Sequence, residues 1–419
     1  MKKKIAVFSF QYLPFCDGTI SCLHNVLKAL SDYYDITVFC RREDLRSREI
    51  ENNGSYSINR NSVLNDYFIS AKLQITKRVK DISNVRIRSI INCIIVALFA
   101  PASVVSRVVG NSNVARFSHN IKKVLKNGSY DYVLCTDASI ATVRGVYEAL
   151  STVTKLEWVF LQFDLYCNNP SIDKTERKQR YEEQLLWYKR AKMIVLQPEM
   201  LKYVKGVGLE RYLNKIHDLY LPSLAGILEN VSPQKNNDLT IVYAGSFYDT
   251  IRNPQKVFEI LFDVSEVLDN IKLKVYSRGC EEIVSKYQNK FGNKMTSLGF
   301  IRREELEKEY LSSDFILSIG NTFDEMVPSK TLEIVRYRKP ILHFALKSND
   351  VSAQYLRDYP KHLIIDVSSK TIPSDMVSKI IKFIKENNGA VCDFNRVNNV
   401  YGKYTASNYA KDIYDYLER

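Results

Sequence analysis

The feature that most constrains this chain is an alternation of apolar runs with amphipathic segments, played out twice. The first series opens on the apolar run Ile5–Phe10. A loop holding Pro14 and Gly18 follows, then Ile20, Leu23, Val26, Leu27 and Leu30 at helical spacing, then DITVFC over 35–40. Strand, helix and strand in this order predict a parallel pair joined by a crossover helix. Runs at 130–139 (YDYVLCTDAS), 158–166 (WVFLQFDLY) and 192–198 (KMIVLQP) extend the same sheet. A second series starts at LTIVYAGSF, 239–247. It continues through a helix over 255–268, strands over 271–279 and 296–301, a helix over 304–311, a strand over 314–320, a helix over 329–337 and a strand over 340–346. Apolar runs of this kind are buried on both faces, so each series predicts a parallel sheet covered by helices. The expectation is two doubly wound α/β domains, 1–224 and 237–402. Leu221–Leu224 and the polar stretch Ser232–Asp238 form the linker.

A chain of 419 residues is long enough for two or three domains with cores that need no disulfides. With 45% hydrophobic and 26% charged residues it is not a disordered, collagenous or polytopic membrane chain. Its 8 cysteines are scattered and include no C-x-x-C, which argues against a disulfide framework or a zinc ribbon and suits a reducing compartment. The N-terminal lysines precede an apolar run that is too short, and Gln11 and Pro14 interrupt it, so Ile5–Phe10 reads as a strand and not as a signal peptide. The longest apolar stretch, Ile90–Val105, contains Asn92 and is broken by Pro101. It falls short of the roughly 20 apolar residues of a spanning helix.

The net charge of +13 is lopsided. Residues 1–224 hold 33 Lys and Arg against 21 Asp and Glu, whereas residues 225–419 hold 27 against 26. One half is therefore built to meet something anionic. Residues 67–128 concentrate the effect, with 11 Lys and Arg and one acid, Asp81, around Ile90–Val105. Basic residues flanking an apolar helix predict an element that docks on an anionic membrane surface. The alternative is a helical insertion packed on its own domain with a solvated basic face.

The sharpest chemical signal is DEMVPSKTLEIVRYRKPIL, 324–342. It follows a predicted strand and opens a helix at Ser329, which is expected to cap it and leave backbone N–H groups facing an anion such as a diphosphate. Glu325 precedes the helix start and Glu333 lies one turn inside. Carboxylates on either side of a phosphate site suit a sugar nucleotide, because they accept hydrogen bonds from vicinal hydroxyls. In YAGSFYDTIRNP, 243–254, Gly245 lets backbone approach a ligand and Arg252 is placed to pair with phosphate oxygens. The 5 histidines, at 24, 119, 217, 343 and 362, show no ligand spacing; His24, just after the first loop, is the one with a chance of lining an acceptor site. No D-x-D stands in a metal-binding setting. The expectation is a site without metal, where cations and a helix dipole stabilise a leaving diphosphate.

The ordered set of a Pro/Gly loop after the first strand, YAGSF…R before a helix, LGFI followed by EELEKEYLSSDFILSIG, and E-x7-E within VPSKTLEIVRYRKPIL resembles the GT-B glycosyltransferases. Within that fold it is most similar to the retaining family-four enzymes of bacterial surface polysaccharide biosynthesis. The resemblance implies two Rossmann-like doubly wound domains facing a cleft, with a C-terminal helix, 403–419, that crosses back onto the first domain. It implies that Glu325 contacts the donor sugar, that Glu333 holds the ribose, and that Ser329, Lys330 and Arg252 hold the diphosphate. The backbone at Gly299, Phe300 and Ile301 would lie by the base. The chain departs from the family pattern in three places. Asp17-Gly18 offers one glycine where the first loop often has two, leaving Gly18 as the substrate-binding position there. Ser246 follows Gly245 where Arg is common, so Arg278 or Lys330 supplies the second positive charge. Phe163-Asp164 stands where a His-Asp pair is common, and leaves Asp164 as the catalytic candidate of the first domain. The implied activity is transfer of a sugar from a nucleotide-diphosphate sugar, as substrate and not cofactor, to a saccharide acceptor that is lipid-linked. It would take place on the cytoplasmic face of the membrane, with no role for nucleic acid. The rivals are a nucleotide-sugar epimerase of the same fold, a polyanion-binding protein using the basic half, and a catalytically silent sugar-nucleotide binder.

Overall fold

The computed structural model describes residues 2–13, 18–41, 50–61, 91, 94, 118–169, 172–233, 238–299, 301–322, 329–369 and 375–419. Glu325, Phe300 and most of the basic segment 67–128 lie outside the described residues, and with them the apolar run Ile90–Val105 except positions 91 and 94. Contacts divide the chain into two units, Met1–Tyr220 with Ile413–Arg419, and Leu221–Asp412.

The first unit is built on β1 (Lys4–Ser9), β2 (Asp35–Arg41), β3 (Ile50–Asn52), β4 (Ser57–Asn61), β5 (Tyr132–Thr136), β6 (Glu157–Leu161), β7 (Met193–Leu196) and β8 (Ile216–Asp218). They form one sheet in the order β3-β4-β2-β1-β5-β6-β7-β8, parallel throughout except where β3 turns back on β4. Ile5, Ala6 and Val7 are fully buried, as a central parallel strand requires. The helix Gly18–Leu30 carries the predicted apolar stripe, with Ile20, Leu23, Val26, Leu27 and Leu30 all buried. Trp158, Phe160, Trp187 and Tyr188 fill the core beside β6 and β7.

The second unit holds β9 (Leu239–Ser246), β10 (Ile271–Arg278), β11 (Met295–Ser297), β12 (Phe315–Ile319), β13 (Ile341–Ala345) and β14 (His362–Asp366). Its order is β11-β10-β9-β12-β13-β14, with every pair parallel. Alternate residues of β9 feed two cores. Ile241 and Tyr243 pack with Phe258, Val275 and Ile380 on one face. Val242 and Ala244 pack with Tyr310, Leu332 and Val335 on the other. The side-chain period of two along a strand thus builds a core on both sides of one sheet.

Several expectations shift. The strand predicted over 158–166 ends at Leu161, because the backbone N–H groups of Phe163 and Asp164 are taken by the Asp137 carboxylate and no longer by a neighbouring strand. The helix predicted over 329–337 is an α-helix only at Ser329–Glu333 and tightens into a 3₁₀ turn over Ile334–Tyr337. Leu221–Leu224 is no free linker: Leu224 is fully buried and its carbonyl accepts the Ala406 N–H at 3.0 Å, both within the second unit. The last helix, Ala406–Leu417, returns the chain to the first unit from Ile413 onward. There Glu418 accepts hydrogen bonds from Lys3 at 2.6 Å and Tyr34 at 3.0 Å, and Tyr33 and Tyr414 stack at 4.4 Å.

Candidate functional site

In the second sheet the strand order reverses between β9 and β12, and ligands of doubly wound sheets sit outside the carboxyl ends of the strands at such a point. Gly245 and Ser246 end β9, and Gly320 and Asn321 follow β12. The two loops are laced together here. Thr322 donates its N–H to the Ile251 carbonyl and its hydroxyl to the Thr250 carbonyl, both at 3.0 Å. Arg252 reaches across, donating from Nη2 at 2.7 Å and from Nε at 3.2 Å to Asn321 Oδ1, and from Nη1 at 3.1 Å to the Ser246 carbonyl. All three contacts go to neutral oxygens, and no carboxylate pairs with Arg252 among the described residues. The guanidinium is oriented by neutral partners, which is what an anion site needs.

Gly245 is glycine for a reason the sequence did not disclose. A Cβ there would stand 2.9 Å from the hydroxyl of Tyr243, two residues back on the same face. That hydroxyl makes no hydrogen bond of ordinary geometry among the described residues. Burial pushes it up to about 12, and the charge of Arg252 pulls against that rise. Gly320 is equally constrained, since a Cβ would land 1.6 Å from Asp350 Oδ2. Asp350 caps the helix Val351–Leu356 through the Ala353 N–H and faces His343 Nε2 at 3.4 Å. His343 Nδ1 meets Ser318 Oγ at 2.9 Å. This buried Ser318–His343–Asp350 chain fixes the floor under the loop that carries Asn321.

Ser329 is the first residue of its helix and not the residue before it, so the capping role expected of it falls to a position outside the described residues. Lys330 Nζ and Glu333 Oε2 are 2.8 Å apart, with Glu333 buried and Lys330 partly exposed. Thr331 ties this turn to the helix Val351–Leu356 by a 3.2 Å contact with Ser352. Arg278 ends β10, exposed. The next residue, Gly279, has φ +84°, and a Cβ on it would fall 2.2 Å from the Phe247 carbonyl, so the β9 and β10 ends are in close contact. Gly299 has φ +68° in the loop after β11, a conformation that favours glycine.

In the first unit Gly18 opens the helix that follows β1. His24 Nδ1 is engaged with the Tyr56 hydroxyl at 2.5 Å, which in turn meets Tyr12. Asp164 lies just past β6, partly exposed, and its neighbour is a residue that the sequence did not single out. Asp137, just past β5, accepts the Phe163 N–H at 3.0 Å and the Asp164 N–H at 2.8 Å. Burial, and then the Asp164 charge, hold the Asp137 carboxyl above the usual carboxylate range, against the two backbone donors that favour its ionised form. Gln162 and Gln197 close the cluster, Gln162 donating to the Asp164 carbonyl and Gln197 to the Phe163 carbonyl. Asp137 and Asn321 share one signal: a polar residue one or two positions beyond a strand that borders the reversal of its sheet.

No family model and no curated protein sequence matches the chain. Solved structures match it along nearly its whole length. A structure described as trehalose-6-phosphate from E. coli bound with UDP-2-fluoro glucose is 11% identical with a TM-score of 0.61, covering 100% of this chain and 99% of that one. Sucrose-phosphate synthase from Thermosynechococcus elongatus is 12% identical at 0.58, covering 99% of both chains. The lipopolysaccharide outer core galactosyltransferase WaaB is 12% identical at 0.52, covering 98% of both. At these identities the likeness is one of fold, and the fold is that of the GT-B glycosyltransferases.

Proposed function

We propose that this protein is a glycosyltransferase that moves a sugar from a nucleotide-diphosphate sugar to a hydroxyl of a saccharide acceptor. The observation that carries the proposal is Arg252: a guanidinium oriented by Asn321 and Ser246, paired with no carboxylate among the described residues, at the strand-order reversal of a sheet in a GT-B fold. Breaking the bond between the anomeric carbon and the diphosphate leaves negative charge on the phosphate and positive charge on the sugar ring. A fixed cation near the phosphate lowers that barrier without reorganising at the moment of reaction. Lys330 supplies a second cation and Arg278 a third on this reading. Glu333, already paired with Lys330, accepts from the ribose hydroxyls, and Glu325 faces the transferred sugar. Gly299 and Phe300 border the base, and Gly245, Ser246 and Ser329 let backbone approach the phosphates. No metal is needed, because these cations take its role.

On the first unit, Gly18 and the Asp137–Asp164 pair belong to the acceptor site. The acceptor is a lipid-linked saccharide of cell-surface polysaccharide assembly, and the basic segment 67–128 brings it to the enzyme by holding the protein against an anionic membrane. Among the described residues no helix is long and apolar enough to cross a membrane. The fold likeness to a lipopolysaccharide galactosyltransferase supports an acceptor of this class.

The test is a panel of nucleotide sugars with a membrane extract as acceptor, read by release of nucleoside diphosphate and by labelled sugar in the lipid fraction. Release that depends on the extract and leaves label in lipid supports the reading. Conversion of the donor into its epimer without release replaces it with an epimerase.

A further inference from the structure

The helix Lys174–Arg190 begins with an arrangement that helix physics disfavours. Lys174, Arg177 and Lys178 lie at positions i, i+3 and i+4, on one face, within the first turns. Like charges at that spacing repel, and the positive end of the helix dipole adds to the repulsion. Three carboxylates near the start of this helix are already engaged. Arg180 donates to Glu176 at 2.6 Å, Glu183 takes Arg144 at 2.9 Å, and Asp173 caps the Glu176 N–H at 2.8 Å. Glu182, one turn from Lys178, does not close on it, and Lys174, Arg177 and Lys178 make no side-chain hydrogen bond or ion pair among the described residues.

These three side chains line a cavity of about 370 Å³. Its other walls are Tyr181, one turn further along the same face, Val207, and Cys167 with Asn168 from the loop after β6. Cys167 is buried, so that wall is apolar. Gly208, with φ +79°, brings the neighbouring backbone to within 3.3 Å, measured from its would-be Cβ, of the Tyr181 hydroxyl. That hydroxyl has no hydrogen-bond partner among the described residues and is a donor left over for a ligand oxygen. Cys167 stands three residues beyond Asp164, on the same loop.

We propose that this cavity is an anion-binding pocket that takes the phosphoryl group of an organic phosphate, with the cations on the phosphate and Val207, Cys167 and the Tyr181 ring against the adjoining organic part. If the first unit holds a glycosyl acceptor, as proposed above, this phosphate belongs to the acceptor and the pocket anchors it on the Asp164 loop. Phosphate binding itself does not depend on that reading. It fits a lipid diphosphate and a soluble sugar phosphate alike.

Calorimetry with inorganic diphosphate at low ionic strength, in a background that combines Arg252→Ala, Arg278→Ala and Lys330→Ala so that the second unit's proposed cations are gone, tests the pocket. Binding is expected there. Combined Lys174→Ala, Arg177→Ala and Lys178→Ala substitutions, all at exposed positions, should weaken it by about tenfold or more, and added salt should weaken it as well. No binding in that background, or binding that the Lys174, Arg177 and Lys178 substitutions leave unchanged, overturns the proposal. Two further arms identify the source. Loss of sedimentation with phosphatidic acid vesicles in the variant lacking Lys174, Arg177 and Lys178 points to a lipid phosphate, and displacement of diphosphate by a hexose phosphate points to a soluble one. Nucleotide-sugar binding by that variant should remain at the wild-type level. Absence of that binding in the wild type sinks the transferase reading and leaves the pocket standing.

Discussion

Arg252 and Asn321 form a pair in which one residue carries charge and the other carries direction. Replacing Arg252 with Ala removes both, and a contact that tightens in the transition state is worth about 2–4 kcal/mol, so turnover should fall roughly 30- to 1000-fold. Asn321→Leu keeps the charge but releases it from its 2.7 Å anchor. Turnover should then fall by about tenfold, with Arg252→Lys between the two because an ammonium cannot reproduce the guanidinium fork. Steady-state rates on the three variants decide the order. A second test at this scale concerns Asp137. Its folded carboxyl holds a proton to higher pH than the unfolded one, because of burial and then the Asp164 charge. Above the ordinary carboxylate value of about 4 the native state therefore binds more protons than the unfolded chain, and stability falls as pH rises into the neutral range. Asp164→Asn removes the neighbouring charge, so the fall in melting temperature with rising pH should be shallower than in the wild type. Arg252 was legible from its place after a strand and a glycine. Asn321 and Asp137 were not, because a lone amide or acid after a strand has meaning only once the neighbouring strand is known.

Among the elements, the strands with unbroken apolar runs were legible and the polar ones were missed. β4 reads Ser-Ile-Asn-Arg-Asn, and the burial of Arg60 within it rests on partners from elsewhere, Glu51 of β3 at 2.7 Å and the Leu13 carbonyl at 2.9 Å. A strand whose burial depends on a partner arriving from elsewhere leaves no apolar signature. β8, at one sheet edge, is three residues long and half-exposed, and β14, at the edge of the other sheet, is half-exposed over most of its five residues. The last helix and its return to the first unit were implied by the family resemblance, but the side chains that fasten it were not. Burial raises the Glu418 carboxyl, and the hydrogen bonds from Lys3 and Tyr34 outweigh it, so the carboxyl sits below its ordinary range. Lys3 is shifted up by Glu418 and then Tyr132. A depressed carboxylate contributes stability that is lost as pH falls through its folded value, and a raised ammonium contributes stability that is lost as pH rises through its own. The clamp therefore holds across the neutral range. Glu418→Gln should cost about 1 kcal/mol at pH 7, with a smaller difference from wild type at pH 3, as read from denaturant midpoints.

For the whole molecule, two doubly wound units were legible because the alternation of strand and helix survives across the entire chain. The points of division were less so: the expected break after 224 falls after Tyr220, and the return expected from 403 begins at Ile413, where it depends on side-chain contacts as far as 415 positions apart in sequence. The proposed division of labour places cations where other transferases use a divalent ion. Exhaustive treatment with a chelator should accordingly leave turnover within about twofold of the untreated enzyme. A loss restored by Mg²⁺ or Mn²⁺ would show that Arg252 and Lys330 are insufficient by themselves.

The second unit interrupts the first: residues up to Tyr220 wait for the stretch from Ile413 to the end. During synthesis at about 5–20 residues per second, the ribosome takes roughly 10–40 s to make what lies between. Through that interval Lys3, Tyr34 and Tyr132 present the base of the first sheet without the carboxylate that later joins them. The second unit has both its ends in hand before the first does, and can fold ahead of it. The order of completion on the ribosome thus runs opposite to the order of the chain, and any chaperone attending this protein would meet the N-terminal sheet as the part still unfinished.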